Sequence, residues 1–154
     1  DPQRILRALE VFELSGRPLS ELWRQGGEEP FPYRVLKLVV TPAERQVLHR
    51  RIETRFQRMV EAGLVAEVQR LRARGDLTLE CPALRSVGYR QIWEYLDGLT
   101  SHGEMMQRGI AATRQLARRQ LTWLRAEPDT RVLDSTAPRL MDQTLGSLAE
   151  AGLP

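Results

Sequence analysis

The stretch YRVLKLVV, from Tyr33 to Val40, decides the fold class of this chain. It is an almost continuous run of β-branched and aliphatic residues, which is typical of a strand buried on both faces of a parallel sheet. Arg131 to Asp134 is a second, shorter strand candidate. Two strands beside about seven predicted helices are too few for a self-sufficient α/β sheet. We therefore expect the remaining strands to lie outside this chain and Asp1 not to be the native start. Expressed alone, the segment should be aggregation-prone or molten.

The predicted helices follow from capping and stop signals on both sides of this strand. Asp1 and Pro2 open a helix that Gly16 ends, and its apolar stripe is Ile5, Leu9 and Phe12. A loop containing Gly26, Gly27, Pro30 and Pro32 precedes the strand. Two capping boxes each predict the start of a helix: Thr41–Glu44 opens one that runs to Ala62 before Gly63, and Ser101 with Glu104 opens another. The other predicted helices are Ser20–Gln25, Leu64–Arg74, a helix through Ile92 to Gly98, and Arg139–Glu150.

Composition indicates a folded, cytosolic protein with an unusual basic residue usage. The chain has 154 residues, of which 42% are hydrophobic and 28% charged, and it has neither an apolar run long enough to span a membrane nor a visible signal peptide. Of its 23 basic residues only Lys37 is a lysine. Arginine forks suit bidentate phosphate contacts, although a GC-rich genome would produce the same bias. Cys81, His49 and His102 have no partners at metal-site spacing.

Four separate groups of arginines are candidates for binding anions. In the stretch TRQLARRQLTWLR, from Thr113 to Arg125, the side chains of Arg114, Arg118 and Arg125 fall within about 40° of one another on a helix. An apolar stripe lies on a different side, so the stripe should dock and the arginines should point elsewhere. That stripe consists of Met106, Ile110, Ala117 and Leu124.

A second cluster consists of Arg51, Arg55 and Arg58, which lie within about 60° of one another on the helix after Thr41. Three converging guanidinium groups suit a phosphate or diphosphate. A solvated helix face with ion-pair partners is the open alternative. A phosphate loop of the form G-x-x-x-x-G-K cannot occur here, because Lys37 is the only lysine.

Two more segments carry arginines near loops or helix starts. Arg85 to Arg90 combines a glycine that permits close approach, Gly88, with a ring that could stack on a base, Tyr89. Packing of Tyr89 in the core is the alternative. Gln3, Arg4 and Arg7 share one side of the first helix, where an exposed polar face is the simpler interpretation.

Taken together, three stretches closely resemble the tRNA dimethylallyltransferases, also called tRNA isopentenyltransferases. They are DPQRILRALEVFELSGRPLSEL (Asp1–Leu22), RSVGYRQIWEYLDG (Arg85–Gly98) and TRQLARRQLTWLR (Thr113–Arg125), in the family's order and spacing. The resemblance implies the C-terminal half of a P-loop-type α/β core, mostly α in this segment. It implies the end of a helical tRNA-binding insertion at residues 1–32, the C-terminal part of the catalytic core at 33–135 and a tail helix at 136–154.

The resemblance also implies an activity. A dimethylallyl group passes from dimethylallyl diphosphate to the exocyclic amine of a flipped adenosine 3′ to the anticodon, and diphosphate leaves. The implied partners are the tRNA anticodon stem-loop, dimethylallyl diphosphate and the N-terminal half of the same chain. That half would carry the phosphate loop, the general base and the Mg²⁺ ligands, so no metal ligand is expected in this segment. No membrane is implied.

The resemblance assigns roles to specific residues. Arg55 matches an arginine that reaches the diphosphate leaving group, although Arg51 and Arg58 lie one turn away. Leu6, Val87 and Leu121 are also compatible with a scaffold role. The expected tRNA-binding residues are Gln3, Arg4, Ile5, Leu6, Arg7, Arg85, Ser86, Val87, Gly88, Tyr89, Arg90, Arg118, Arg119, Gln120, Leu121, Thr122, Trp123, Leu124 and Arg125.

Two alternatives stay open at this point. A non-catalytic RNA-binding module would use the same arginine surfaces without transfer chemistry. A prenyltransferase that acts on free adenine nucleotides would share the phosphate chemistry but would have no use for separate basic tRNA surfaces.

Overall fold

A computed structural model describes residues 1–25 and 32–152 of the chain. These residues form two compact units, Asp1–Val35 and Leu36–Pro154. Of the predicted loop at residues 26–32, residues 26–31 lie outside the described part. Each unit is described by itself below.

The first unit consists of helices α1 (Pro2–Ser15) and α2 (Leu19–Gln25), which confirms both predictions. Asp1 caps α1 by accepting a 3.1 Å hydrogen bond from the Gln3 backbone N–H. Gly16 ends the helix with a φ of 66°, and its N–H donates to the Phe12 carbonyl at 2.8 Å. Neither helix contains a buried residue, and the predicted apolar stripe of α1 is exposed.

The second unit contains a parallel pair of strands, β1 (Lys37–Thr41) and β2 (Thr130–Asp134). Lys37 pairs with Thr130, and Thr41 pairs with Asp134. The predicted start of the first strand at Tyr33 is wrong, because β2 offers no partner before Lys37. The predicted burial on both faces is also wrong, since Val40 is 53% exposed. Among the described residues β1 has a single neighbouring strand, which leaves much of its surface uncovered.

Helices form the rest of the second unit. Their bounds are α3 (Arg45–Glu61), α4 (Leu64–Ala73), a 3₁₀ turn (Pro82–Arg85), α5 (Tyr89–Leu96), α6 (His102–Ala126) and α7 (Leu140–Glu150). A largely helical chain with a small parallel sheet confirms the predicted fold class. The capping box at Ser101 and Glu104 is present, with the Ser101 N–H donating to Glu104 Oε2 at 2.8 Å and the Glu104 N–H donating to Ser101 Oγ at 3.2 Å.

The capping box predicted at Thr41 is wrong. Thr41 is the last residue of β1, and its carbonyl accepts the Ser135 N–H at 3.0 Å. α3 starts at Arg45, with Glu44 as the N-cap and no side-chain capping bond. The Ala43 N–H donates instead to Asp134 Oδ1 at 3.2 Å. Pairing with β2 therefore takes Thr41 into the sheet, and a tertiary contact replaces the local cap.

The core lies between α3, α4, α5 and α6. Its buried residues are Phe56, Leu64, Val68, Leu84, Ile92, Trp93 and Met105. Met106 and Ile110 of the predicted apolar stripe pack against it. The Phe56 ring lies on the backbone of Gly109, where an added Cβ would overlap it. α3 and α6 therefore approach one another closely at this point, which positions the grooves between them.

Candidate functional site

A cavity of about 430 Å³ lies where three predicted segments meet. α3 contributes Arg51 and Arg55, the segment before α5 contributes Val87, and α6 contributes Gln120. Apolar side chains complete the wall, among them Ile52 and Leu116. The wall thus combines guanidinium groups with an apolar surface, which suits a ligand that has an anionic group and a hydrocarbon group.

Arg51 and Arg55 also line a second, adjoining cavity of about 500 Å³, together with Arg50 and Arg58. Arg55 is exposed, and no carboxylate of the described residues lies within ion-pair distance of it. Arg51 is held differently, because its Nη1 donates to Ser135 Oγ at 2.9 Å. The second predicted cluster therefore faces open space, and one of its members is anchored by a residue far along the chain.

The anchor belongs to a turn at the carboxyl end of β2 that was not predicted as part of the site. Asp134 Oδ1 accepts hydrogen bonds from the Thr136 N–H at 2.9 Å, from Thr136 Oγ1 at 2.7 Å and from the Ala43 N–H at 3.2 Å. These hydrogen bonds lower the pKa of Asp134, and those from Thr136 have the largest effect. The charge of Arg51 lowers it further by a smaller amount. The sequence could have indicated this turn through its position at the end of a predicted strand, since ligands of open parallel sheets bind at the carboxyl ends of the strands.

The segment at residues 85–90 is largely engaged within the protein. Arg85 Nε donates to the Leu79 carbonyl at 2.9 Å, and Ser86 Oγ donates to the Ala83 carbonyl at 2.7 Å. Arg90 pairs with Glu94 at 2.9 Å. All three side chains stay exposed, so the guanidinium donors of Arg85 and Arg90 that these bonds do not use can reach solvent.

Gly88 and Tyr89 lie inward. Gly88 is buried with a φ of 100°, and a Cβ there would lie 3.7 Å from the Phe56 ring. Tyr89 packs against the core, and its hydroxyl donates to Glu67 Oε1, which raises the pKa of Tyr89. Val87 is the member of this segment that lines the 430 Å³ cavity. The expected tRNA contacts of these residues stay predictions.

The third segment, residues 118–125 on α6, is mostly exposed. Its exposed side chains are Arg118, Arg119, Gln120, Thr122, Trp123, Leu124 and Arg125, while Leu121 is half-buried. The Trp123 indole is 76% exposed. The expected separation of arginines from the apolar stripe is only partly right, because Leu124 is 39% exposed and Ala117 shares a groove with Arg114 and Arg118. The separation is incomplete because α3 covers this part of α6 only partly, which leaves a groove lined by both kinds of side chain.

In the first unit, all five residues of the predicted tRNA contact are exposed: Gln3, Arg4, Ile5, Leu6 and Arg7. Arg7 Nη1 lies 3.4 Å from Glu10 Oε2 on the same helix. Exposed pairs of this kind contribute little to stability, so Arg7 remains able to bind a ligand.

Two features of other protein classes are missing from the described residues. Within residues 1–25 and 32–152, no group of three or more His, Cys, Asp or Glu side chains is placed to hold a metal ion. No helix in this described part has both the length and the apolar character needed to cross a bilayer.

Comparison with known proteins bears on these segments directly. The family model described as IPP transferase matches residues 1–127. A curated tRNA dimethylallyltransferase from Janthinobacterium sp. (strain Marseille) is 54% identical over 139 residues, which are 90% of this chain and 44% of that protein. The family match includes all three segments that carry the resemblance.

Two solved structures have a similar fold. The full-length tRNA isopentenylpyrophosphate transferase from Bacillus halodurans has a TM-score of 0.70 and 30% identity, over 97% of this chain and 46% of that one. The tRNA delta(2)-isopentenylpyrophosphate transferase from Staphylococcus epidermidis has a TM-score of 0.65 and 24% identity, over 97% and 49%, and this likeness shows the fold alone. The chain thus spans about half the length of these relatives. Since the family model covers most of its residues, the chain belongs to the IPP transferase family.

Proposed function

We propose that the protein is a tRNA dimethylallyltransferase to which this chain contributes tRNA-binding surfaces and a diphosphate-binding arginine. The exocyclic amine of the adenosine 3′ to the anticodon attacks the first carbon of dimethylallyl diphosphate. The carbon–oxygen bond breaks, its electron pair leaves with diphosphate, and the nitrogen gives up a proton to a base. We expect this reaction in the cytoplasm.

The observation that carries the proposal is the cavity in which Arg51 and Arg55 meet Val87 and Gln120. These residues come from three separate segments, and two of those segments are expected to contact tRNA. A cavity shared by phosphate-binding side chains and tRNA-facing segments is what transfer from a diphosphate to a tRNA base requires.

In this proposal Arg55 acts electrostatically. Negative charge develops on the bridging oxygen as the carbon–oxygen bond breaks, and a guanidinium group near that oxygen stabilises the transition state more than the bound substrate. Arg55 suits this role because it lines the cavity and no carboxylate of the described residues neutralises it.

The proposed tRNA surfaces are residues 3–7, 85–90 and 118–125. Their exposed arginines would contact backbone phosphates, which position the anticodon stem-loop, while residues near the cavity would hold the flipped base. Tyr89 would act from within the core, supporting this segment rather than stacking freely.

Mg²⁺ is part of the proposal for the whole protein. A magnesium ion bound by carboxylates and diphosphate oxygens would neutralise the leaving group. The described residues do not form such a carboxylate cluster, so the roles proposed for them do not pass through the metal.

The test is an assay of the longer polypeptide with tRNA, dimethylallyl diphosphate and Mg²⁺. We expect the modified adenosine to gain one dimethylallyl group in place of a hydrogen, measured by mass spectrometry of the digested tRNA. Binding of tRNA without any gain in mass would support a non-catalytic RNA-binding module instead. Competition of AMP with tRNA for modification would support a prenyltransferase of free nucleotides.

A further inference from the structure

A second groove between α3 and α6 is lined by five basic side chains. It has a volume of about 400 Å³. Arg45 and His49 come from the first turns of α3, and Arg114, Arg118 and Arg125 come from α6. Of these five side chains, the family resemblance assigns only Arg118 and Arg125 to tRNA binding. Arg45 and His49 face them from the opposite wall.

The positive charge of this groove is largely uncompensated. Among the described residues, no acidic side chain lines the groove, and Arg114 is its one arginine with a carboxylate partner, Glu53 at 3.0 Å. Arg45 Nε donates to His49 Nε2 at 3.3 Å, which places these two side chains together. Within the described residues, no carboxylate lies within ion-pair distance of Arg45, Arg118 or Arg125. Several like charges around one groove repel one another, and a bound anion relieves that repulsion.

Two further features indicate a ligand rather than a structural role. Arg45 is the first residue of α3, where the helix dipole disfavours a positive charge. A residue that opposes the stability of its own helix is better explained by a binding role. In addition, the Nε of Arg114 is buried without a hydrogen-bond partner among the described residues. A residue that lines the groove therefore has one donor that the described residues leave unsatisfied.

The neighbouring surface favours a polynucleotide over a free anion. Arg118 also lines an adjacent cavity of about 390 Å³ with Arg119 and Trp123. Two arginine-lined cavities thus lie side by side on α6, next to an indole that is 76% exposed. Consecutive phosphates with a base between them match this arrangement, because bases stack on exposed aromatic rings.

We propose that the α3–α6 groove binds a backbone phosphate of the substrate RNA, with Arg45 and His49 on one side and Arg118 and Arg125 on the other. This inference rests on the proposed function, since it takes the RNA to be the tRNA bound along α6. It adds the start of α3 to the binding surface. A phosphate held there links the RNA to the same helix that carries Arg55 into the cavity of the reaction.

The test measures tRNA affinity of the full-length enzyme over a series of salt concentrations. The variants are Arg45→Ala, Arg118→Ala and Arg125→Ala, alone and as the Arg45→Ala/Arg125→Ala pair. Arg70→Ala on α4 is the matched control, because Arg70 is exposed and lines neither groove. We expect Arg45→Ala to flatten the slope of log affinity against log salt by about 0.7 to 0.9, because it removes one ion pair with a phosphate. Arg70→Ala should leave the slope unchanged.

The double variant tests whether both walls hold the same phosphate. We expect it to lose less affinity than the product of the two single losses, since the second substitution removes an interaction that the first has already weakened.

The outcomes separate this inference from the proposed function. If Arg118→Ala flattens the slope but Arg45→Ala does not, the groove proposal is overturned and the tRNA surface on α6 stands. If neither changes the slope while prenyl transfer persists, both RNA assignments fail and the enzyme activity stands. Thermal stabilisation by inorganic phosphate that Arg45→Ala abolishes, with an unchanged tRNA slope, would make the groove a free-phosphate site and overturn the proposal.

Discussion

Arg51 Nη1 donates a 2.9 Å hydrogen bond to Ser135 Oγ, which joins the middle of α3 to the turn that follows β2. Arg51 lines the same cavity as Arg55, so this bond sets where one of two guanidinium groups stands at the proposed diphosphate site. The turn is itself fixed by Asp134 and by the Ser135 N–H, which donates to the Thr41 carbonyl at 3.0 Å. The strand ends thus act as a rigid support for a binding side chain on a helix.

Removing this support tests Ser135 as a positioning residue. We expect Ser135→Ala, in the full-length enzyme, to raise KM for dimethylallyl diphosphate about fivefold, the effect of losing a hydrogen bond of roughly 1 kcal/mol. The affinity for tRNA should stay unchanged. Ser135→Thr retains the acceptor oxygen and should restore KM. A purely structural role would instead lower Tm in both variants and leave KM alone.

Arg55 should affect the chemical step rather than binding. We expect Arg55→Ala to lower turnover by about a hundredfold or more at unchanged tRNA affinity, as for the loss of one transition-state donor. Single-turnover measurements of prenyl transfer check this. Arg58→Ala is the comparison, because Arg58 lines the adjoining cavity but not the 430 Å³ cavity, and we expect a smaller effect. Equal turnover of Arg55→Ala and the unmodified enzyme would remove Arg55 from the mechanism.

The hydrogen bonds of Asp134 predict an acid-dependent loss of stability. Its pKa is lowered in the folded protein, so its contribution is present above the pKa of the unfolded chain and is lost as pH falls through the lower folded value. The window therefore lies below about pH 4. We expect Tm of Asp134→Asn to depend less on pH there than Tm of the unmodified protein.

A graded control accompanies this pH series. Thr136→Ala removes the hydroxyl donor but keeps the backbone N–H, which is the larger cause of the lowered pKa. Its pH dependence should lie between those of the unmodified protein and Asp134→Asn. Identical acid profiles for all three proteins would contradict the assigned role of these hydrogen bonds.

Local signals predicted most of the helices, and long-range contacts account for what they missed. The caps at Asp1 and Ser101 act within three residues and are confirmed. The capping box predicted at Thr41 is an equally local signal, but it does not form, because Thr41 pairs in the sheet with Asp134, a residue distant in sequence. Spacing on a helix placed Arg51 and Arg55 on a shared face. It could not reveal the bond to Ser135, because that depends on the register of β1 with β2.

The contact between Phe56 and Gly109 predicts opposite effects for two glycines of the same helix. An added Cβ at Gly109 would overlap the Phe56 ring, whereas one at Gly103 meets no atom within 4 Å. We expect Gly109→Ala to destabilise the full-length protein by about 1 to 3 kcal/mol through overpacking. Gly103→Ala should be neutral or stabilising by about 0.5 to 1 kcal/mol, since alanine favours the helix. Urea unfolding measures both.

A second substitution, at Phe56, tests whether overlap with its ring causes the destabilisation of Gly109→Ala. In the double variant Phe56→Leu/Gly109→Ala the smaller side chain relieves the overlap, so its stability loss should be less than the sum of the two single losses. In the Gly109→Ala variant the overlap would push α3 and α6 apart and so widen the groove that Arg45 and Arg118 line. Gly109→Ala should therefore also weaken tRNA binding under conditions where the protein remains folded. Full tRNA affinity in a folded Gly109→Ala protein would show that the groove tolerates a change in helix spacing.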